Sequence, residues 1–130
     1  MARNTRTFKD IDLNFTAHPV TGDVAIKYDE AAIKQSVRNL ILTQNYERPF
    51  HSEVGSQVLA SLFEPAGPQT TIMIQRSIEN VIANFEPRAQ LISVTVTPNI
   101  DGNEYNIYIV FKVINTESPV TITFTLKRTR

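Results

Sequence analysis

From Phe8 to Phe15 the chain alternates Ile11, Leu13 and Phe15 with Asp10, Asp12 and Asn14. That period of two marks a half-buried strand, because successive side chains leave opposite faces. His18-Pro19 and Thr21-Gly22-Asp23 supply turn residues, and Val24, Ile26 and Tyr28 alternate again, so the two segments are expected to form a hairpin or paired corner. The period then becomes helical. Ile33, Val37, Leu40 and Ile41 fall on one face of a helix from Glu30 to about Thr43, with Asp29 placed to cap its first amides. A shorter helix is predicted over Ser52–Phe63, burying Val54, Val58, Leu62 and Phe63, before a loop marked by Pro65, Gly67 and Pro68. A third helix, capped by Thr70 or Thr71, repeats Ile74, Ile78, Val81, Ile82 and Phe85 at the helical period. It stops at Glu86, because Pro87 disfavours the helical conformation of the residue before it. Three strands follow, Gln90–Thr97, Glu104–Ile114 and Pro119–Lys127, the first two joined by a turn containing Asp101-Gly102.

The order ββαααβββ predicts an α+β fold, three helices packed against a mostly antiparallel sheet. The 130 residues fit one domain, 1–130, since a chain of this size buries roughly two-thirds of its unfolded surface. Short flexible tails are expected at 1–7 and 128–130.

Charge narrows the function. Thirteen basic residues balance thirteen acidic ones, so no overall positive field draws in phosphate backbones or anionic lipid, and neither nucleic acid nor membrane is expected as a partner. Arg3, Arg6, Lys127, Arg128 and Arg130 sit at the ends without interleaved aromatics and read as solvated tails. The absence of cysteine excludes disulfides and thiolate chemistry. No apolar run suits a signal peptide or a span of about 20 residues, and a soluble protein without a cleaved leader is expected.

Candidate chemistry is sparse. His18 and His51 have no ligand-spaced partner, no serine sits in a nucleophile elbow, and Gly22, Gly55, Gly67 and Gly102 are too scattered for a phosphate loop. No metal or cofactor is expected. Paired carboxylates are the weakest requirement of any hydrolase, and Glu47, Glu64 and Glu86 are the candidates for a wall-degrading activity, although nothing in the sequence raises a pKa. A non-enzyme is expected.

Three stretches carry a resemblance that covers nearly the whole chain: Asn14-Phe15-Thr16 through Pro19-Val20-Thr21-Gly22-Asp23-Val24-Ala25; Tyr46-Glu47-Arg48-Pro49-Phe50 with Gly55-Ser56; and Phe85-Glu86-Pro87-Arg88. In order and spacing they resemble the small wedge-subunit family of contractile-tail baseplates, shared by contractile phages, tailocins and type VI secretion systems, whose short signature is Glu-Pro-Arg. The resemblance implies a structural subunit of a virion tail baseplate, assembled in the host bacterial cytoplasm. It implies binding to a larger wedge protein, in two copies per wedge with helices in a core bundle, and contact with the first ring of tail sheath subunits, hence sheath initiator. The family is also similar in fold to an anti-adaptor that inhibits regulated proteolysis, so fold alone leaves a regulatory binding role open.

Carried over from the family, Glu86, Pro87 and Arg88 form a partner interface, a carboxylate and a planar guanidinium offering two-pronged hydrogen bonds. The same segment also reads as a helix stop, with Arg88 neutralising the helix end. Glu47 and Arg48 are further interface candidates, although the simpler reading is a turn with an ion pair on its surface and Phe50 packed into the core. Independently of family, the last strand sets Val120, Ile122, Phe124 and Leu126 on one face and Thr121, Thr123 and Thr125 on the other, with no charge before Lys127. As the third member of a meander it would expose an unblunted edge. The resemblance makes that edge the place where a sheath subunit adds a strand, unless the N-terminal hairpin covers it.

Overall fold

A computed structural model describes residues 8–114 and 116–128. The order is β1 (Lys9–Ile11), β2 (Ile26–Tyr28), α1 (Asp29–Leu42), α2 (Val58–Ser61), α3 (Pro68–Phe85), β3 (Ala89–Asn99), β4 (Glu104–Val113) and β5 (Pro119–Lys127). The α+β class and the ββαααβββ order are those expected.

The core lies between the helices and one face of an antiparallel sheet ordered β3-β4-β5. Cross-strand rows build it: Val94, Ile109 and Ile122 pair across the three strands, as do Val96, Ile107 and Phe124. Ile33, Val37 and Ile41 of α1 and Ile74, Ile78, Val81 and Ile82 of α3 close over them. Each fully buried isoleucine contributes about 1.5–3 kcal/mol of transfer free energy. The opposite face, with Thr121, Thr123 and Thr125, is exposed, the one-sided wetting usual for antiparallel sheets.

Several boundaries differ from the sequence expectation. β1 is three residues long and its phase is reversed: Ile11, Leu13 and Phe15 are exposed while Asp12 is buried. Asp12 turns inward because its carboxylate accepts the Asn14 amide at 3.0 Å and meets Lys27 at 3.5 Å. Asp29 does not cap α1. Tyr28 holds the cap position, and the Asp29 carboxylate instead accepts the Phe8 amide at 3.0 Å, tying the hairpin to the helix. The second helix shrinks to one turn, leaving Phe63 exposed and Val54 half-buried. α3 starts at Pro68 behind Gly67 rather than at a threonine cap, since proline is preorganised for the first helical position and lacks only an amide that would be orphaned there. Thr70 and Thr71 then bond back to the Pro65 and Gly67 carbonyls.

Arg128, expected in a flexible tail, is fastened: its guanidinium donates to the carbonyls of Leu62 at 3.3 Å and Glu64 at 2.9 Å, and to Asn103 Oδ1 at 3.2 Å. This joins the end of β5 to the α2–α3 connection and to the β3–β4 turn.

Candidate functional site

The segment from Phe85 to Arg88 turns sharply where α3 ends, and Glu86 folds its carboxylate back into the protein, only 2% exposed. Arg88 grips it in a fork, Nε to Oε1 at 2.7 Å and a terminal nitrogen to Oε2 at 3.0 Å. The Ser36 hydroxyl of α1 donates to the same Oε2. Burial pushes the Glu86 carboxyl up, but the Arg88 and Ser36 hydrogen bonds and the Arg88 charge outweigh it and hold the group below its ordinary value. Arg88 is raised in turn, chiefly by its hydrogen bond to Glu86.

Arg88 also reaches the hairpin. Its guanidinium carbon lies 5.4 Å from the centre of the Phe8 ring, a cation–π distance, and 3.7 Å separates it from Asp10 Oδ2. The Glu86-Pro87-Arg88 motif therefore ties α3, α1 and β1 together. Its carboxylate is satisfied internally and does not face a partner, whereas Arg88 and Pro87 retain exposed surface. α3 ends at Phe85, just before Glu86-Pro87, where the helix-stop reading placed its end.

Glu47 and Arg48 lie beside this knot. A groove of about 750 Å³ runs between the hairpin residues Asp10, Ile11 and Leu13, the α1 residues Ser36 and Leu40, and the loop carrying Glu47 and Arg48. Motifs distant in sequence thus converge, with Ser36 linking the groove floor to buried Glu86. The expected Glu47–Arg48 ion pair does not form: the Glu47 carboxylate accepts the Gln44 amide at 2.9 Å, and Arg48 is exposed with no ion-pair partner among the described residues. Phe50, expected in the core, is fully exposed at 100%, and Tyr46 is 85% exposed. Both hold left-handed backbone, φ 70° and 66° for Tyr46 and Phe50, which strains a non-glycine residue and clusters at functional positions. Sequence reasoning packed Phe50 into the core; the contrary signal was its place in a polar loop with no hydrophobic period.

The loop is held by Gly55, φ 132°, where an added Cβ would stand 2.7 Å from the Thr43 carbonyl. Only glycine permits that approach, and it lets Ser56 donate to the same carbonyl at 2.8 Å.

β5 places Val120, Ile122 and Leu126 inward with Phe124 half-buried, and Thr121, Thr123 and Thr125 outward. Its outer edge pairs with no strand among the described residues, since β1 and β2 form a separate sheet. The hairpin adds no strand to it, while Leu13, Asn14 and Lys27 line the same concavity as Ile122.

Among the described residues no group of three or more histidine, cysteine, aspartate or glutamate side chains is placed to hold a metal, and no helix is long and apolar enough to cross a membrane.

Residues 27–118 match the family described as Baseplate wedge protein gp25. Baseplate wedge protein gp25 of Enterobacteria phage T4 is 32% identical over 115 residues, 88% of this chain and 86% of that one. Among solved structures, a chain of the anti-feeding prophage baseplate matches with TM-score 0.64 at 21% identity, over 95% of this chain and 87% of its own. A chain of the postcontracted pyocin R2 baseplate matches with TM-score 0.60 at 21% identity, over 85% and 100%. A provisionally assigned tail lysozyme of Geobacter sulfurreducens matches with TM-score 0.69 at 22% identity, over 75% and 89%; at these identities the structures speak for the fold alone. Family match and phage relative together establish that this chain belongs to the gp25 family of baseplate wedge proteins of contractile tails.

Proposed function

We propose that the chain is a non-catalytic assembly subunit of a contractile-tail baseplate, joined to a larger wedge protein through the groove between the hairpin and the Glu47–Arg48 loop. The outer edge of β5 receives the first sheath subunits. The edge of β5 carries this reading: nine residues in continuous register against β4, apolar and hydroxyl-bearing until Lys127, with no bulge to turn a visitor away. The other free edge is blunted. β3 shifts register between Leu91 and Ser93 and contains Pro98, which donates no hydrogen bond. A strand arriving at β5 gains a backbone ladder for affinity and alternate side-chain sites for register.

For the groove, the support is exposed Ile11 and Leu13 lining it together with the unpaired Arg48, whose loop also carries the two strained aromatics. Aromatic and arginine side chains are the usual anchors of an interface. Glu86 and Pro87 contribute by holding Arg88 in place rather than by contact through the carboxylate. The subunit then works inside the assembled baseplate, after assembly in the host cytoplasm.

The surroundings of Glu86 speak against a wall-degrading role for it: despite burial, Arg88 and Ser36 hold its carboxyl below its ordinary value, whereas a glycosidase acid needs one shifted up.

The test is hydrogen exchange on the purified subunit with and without the sheath protein of the same tail. Slowed exchange across 119–127 is expected, and unchanged exchange there would remove the strand-addition reading. For the groove, Arg48→Glu should weaken co-purification with the larger wedge protein; equal recovery would exclude that surface. Peptidoglycan clearing abolished by one carboxylate substitution would replace the assembly role with an enzymatic one.

A further inference from the structure

We infer that the strand received at β5 carries a carboxylate on its helix-facing side, and that Arg38 of α1 receives it. The inference rests on the strand-addition reading above and specifies the chemistry of the incoming chain.

A concavity of about 520 Å³ opens between the hairpin, α1 and β5, walled by Leu13, Asn14 and Lys27 of the hairpin and by Ile122 of the strand, with Ala31, Lys34, Arg38 and Leu42 among the α1 residues that line it. These four positions follow one another at three- and four-residue steps and form a stripe along α1, with the polar Gln35 and Asn39 beside it. Ile122 belongs to the outermost strand. A strand added beside it lies about 4.8 Å further out, with alternate side chains pointing to the same layer as Ile122. Those side chains enter this concavity.

Its cations are not equivalent. Lys27, also on the lining, has Asp12 at 3.5 Å, and Lys34 has Glu30 at 2.9 Å. Arg38 is exposed and has no hydrogen bond or ion pair among the described residues. A guanidinium flanked by Ala31 and Leu42 favours a segment with one carboxylate among apolar inward positions, where the planar fork binds two oxygens at once. A basic strand would face like charge and be rejected. A second copy of this chain does not meet the requirement: from Pro119 to Leu126 its own edge strand has no acidic residue to offer.

The experiment measures binding of the sheath protein of the same tail to the intact subunit by biolayer interferometry at low and high salt, beside hydrogen exchange of β5. Arg38→Glu is expected to weaken binding about tenfold or more at low salt, since like charges oppose across an interface, while the thermal midpoint of the isolated subunit stays unchanged. Replacing the opposing sheath carboxylate with arginine should restore binding to Arg38→Glu. If β5 amides are protected and Arg38→Glu binds as the unaltered subunit does, the Arg38 assignment is overturned and strand addition stands. If β5 gains no protection, strand addition fails and the assignment fails with it. Self-association through β5 that ignores Arg38 would also overturn it.

Discussion

The side-chain amide of Gln35 takes the place of a neighbouring strand beside Ile11, donating from Nε2 to its carbonyl at 2.8 Å. The same amide accepts the Leu13 N–H at 3.2 Å, so one helix side chain closes the backbone of β1 that would otherwise invite another chain. The β1 edge is thereby guarded by a side chain, and of the two edges of the larger sheet β3 is guarded by a bulge and a proline, which leaves β5. Gln35→Leu keeps a good helix former but strips both bonds. A loss under about 1 kcal/mol is expected for such exposed bonds, with faster exchange of the Leu13 amide; an unaltered exchange rate there would contradict the closure.

Removing Arg88 should be more costly than its partial exposure suggests. Arg88→Ala leaves the Glu86 carboxylate buried with only Ser36 as side-chain donor, and stranding a buried charge costs about 3–5 kcal/mol. Urea unfolding should show this loss, and Glu86→Gln added to Arg88→Ala should recover part of it. A double variant no more stable than Arg88→Ala would mean that the unpaired charge is not the cause. The single variant is accordingly a poor probe of a partner interface, and Arg48 is the cleaner one.

Stability should fall in acid. Folding lowers the pKa of both Glu86 and Asp12, so the unfolded chain binds more protons at low pH and stability rises with pH across that range. Their contribution is complete above the ordinary values of 4.5 for Glu86 and 3.8 for Asp12, and is lost as pH drops through the lower folded values. Thermal midpoints from pH 7 to pH 2 should show the decline, and Glu86→Gln should flatten it. An unchanged slope in that variant would exclude Glu86 as a source.

Gly55→Ala should destabilise the fold by about 1–3 kcal/mol from backbone conformation alone, and by more through the contact with the Thr43 carbonyl. Chemical denaturation measures it. A change below half a kilocalorie per mole, within the usual spread for surface substitutions of about 0.5 kcal/mol, would show that the loop shifts freely.

Tyr105 is fully buried and its hydroxyl has no hydrogen-bond partner among the described residues. Tyr105→Phe is expected to be neutral or stabilising by up to about 1 kcal/mol, because a buried polar group without a partner loses its hydration. A clear loss of stability would reveal a partner for that oxygen.

What the sequence made legible was what one dry face dictates. Val120, Ile122 and Leu126 could be assigned inward from alternation alone because the sheet is wet on its other side. The hairpin failed that logic. Ile11, Leu13 and Phe15 alternate as clearly, but the favoured inward residue is Asp12, whose hydrogen bond and ion pair are three-dimensional. The burial of Glu86 was equally hidden, for it depends on Ser36, fifty positions away in sequence. The short second helix could not be foreseen from apolar spacing, since Gly55 and its close approach to Thr43 hold the preceding segment as a loop. Pro68 was a legible helix start outranked by two plausible threonine caps.

Arg128 gives the molecule a load path. On the strand-addition reading proposed above, a filament tugging lengthwise on β5 stresses the β4 ladder in shear, where many bonds share the strain instead of unzipping singly. The guanidinium rivets the strand's far end to the helix layer through Leu62 and Glu64, so tension entering at the rim of the sheet passes into the body of the subunit before the terminal strand peels away.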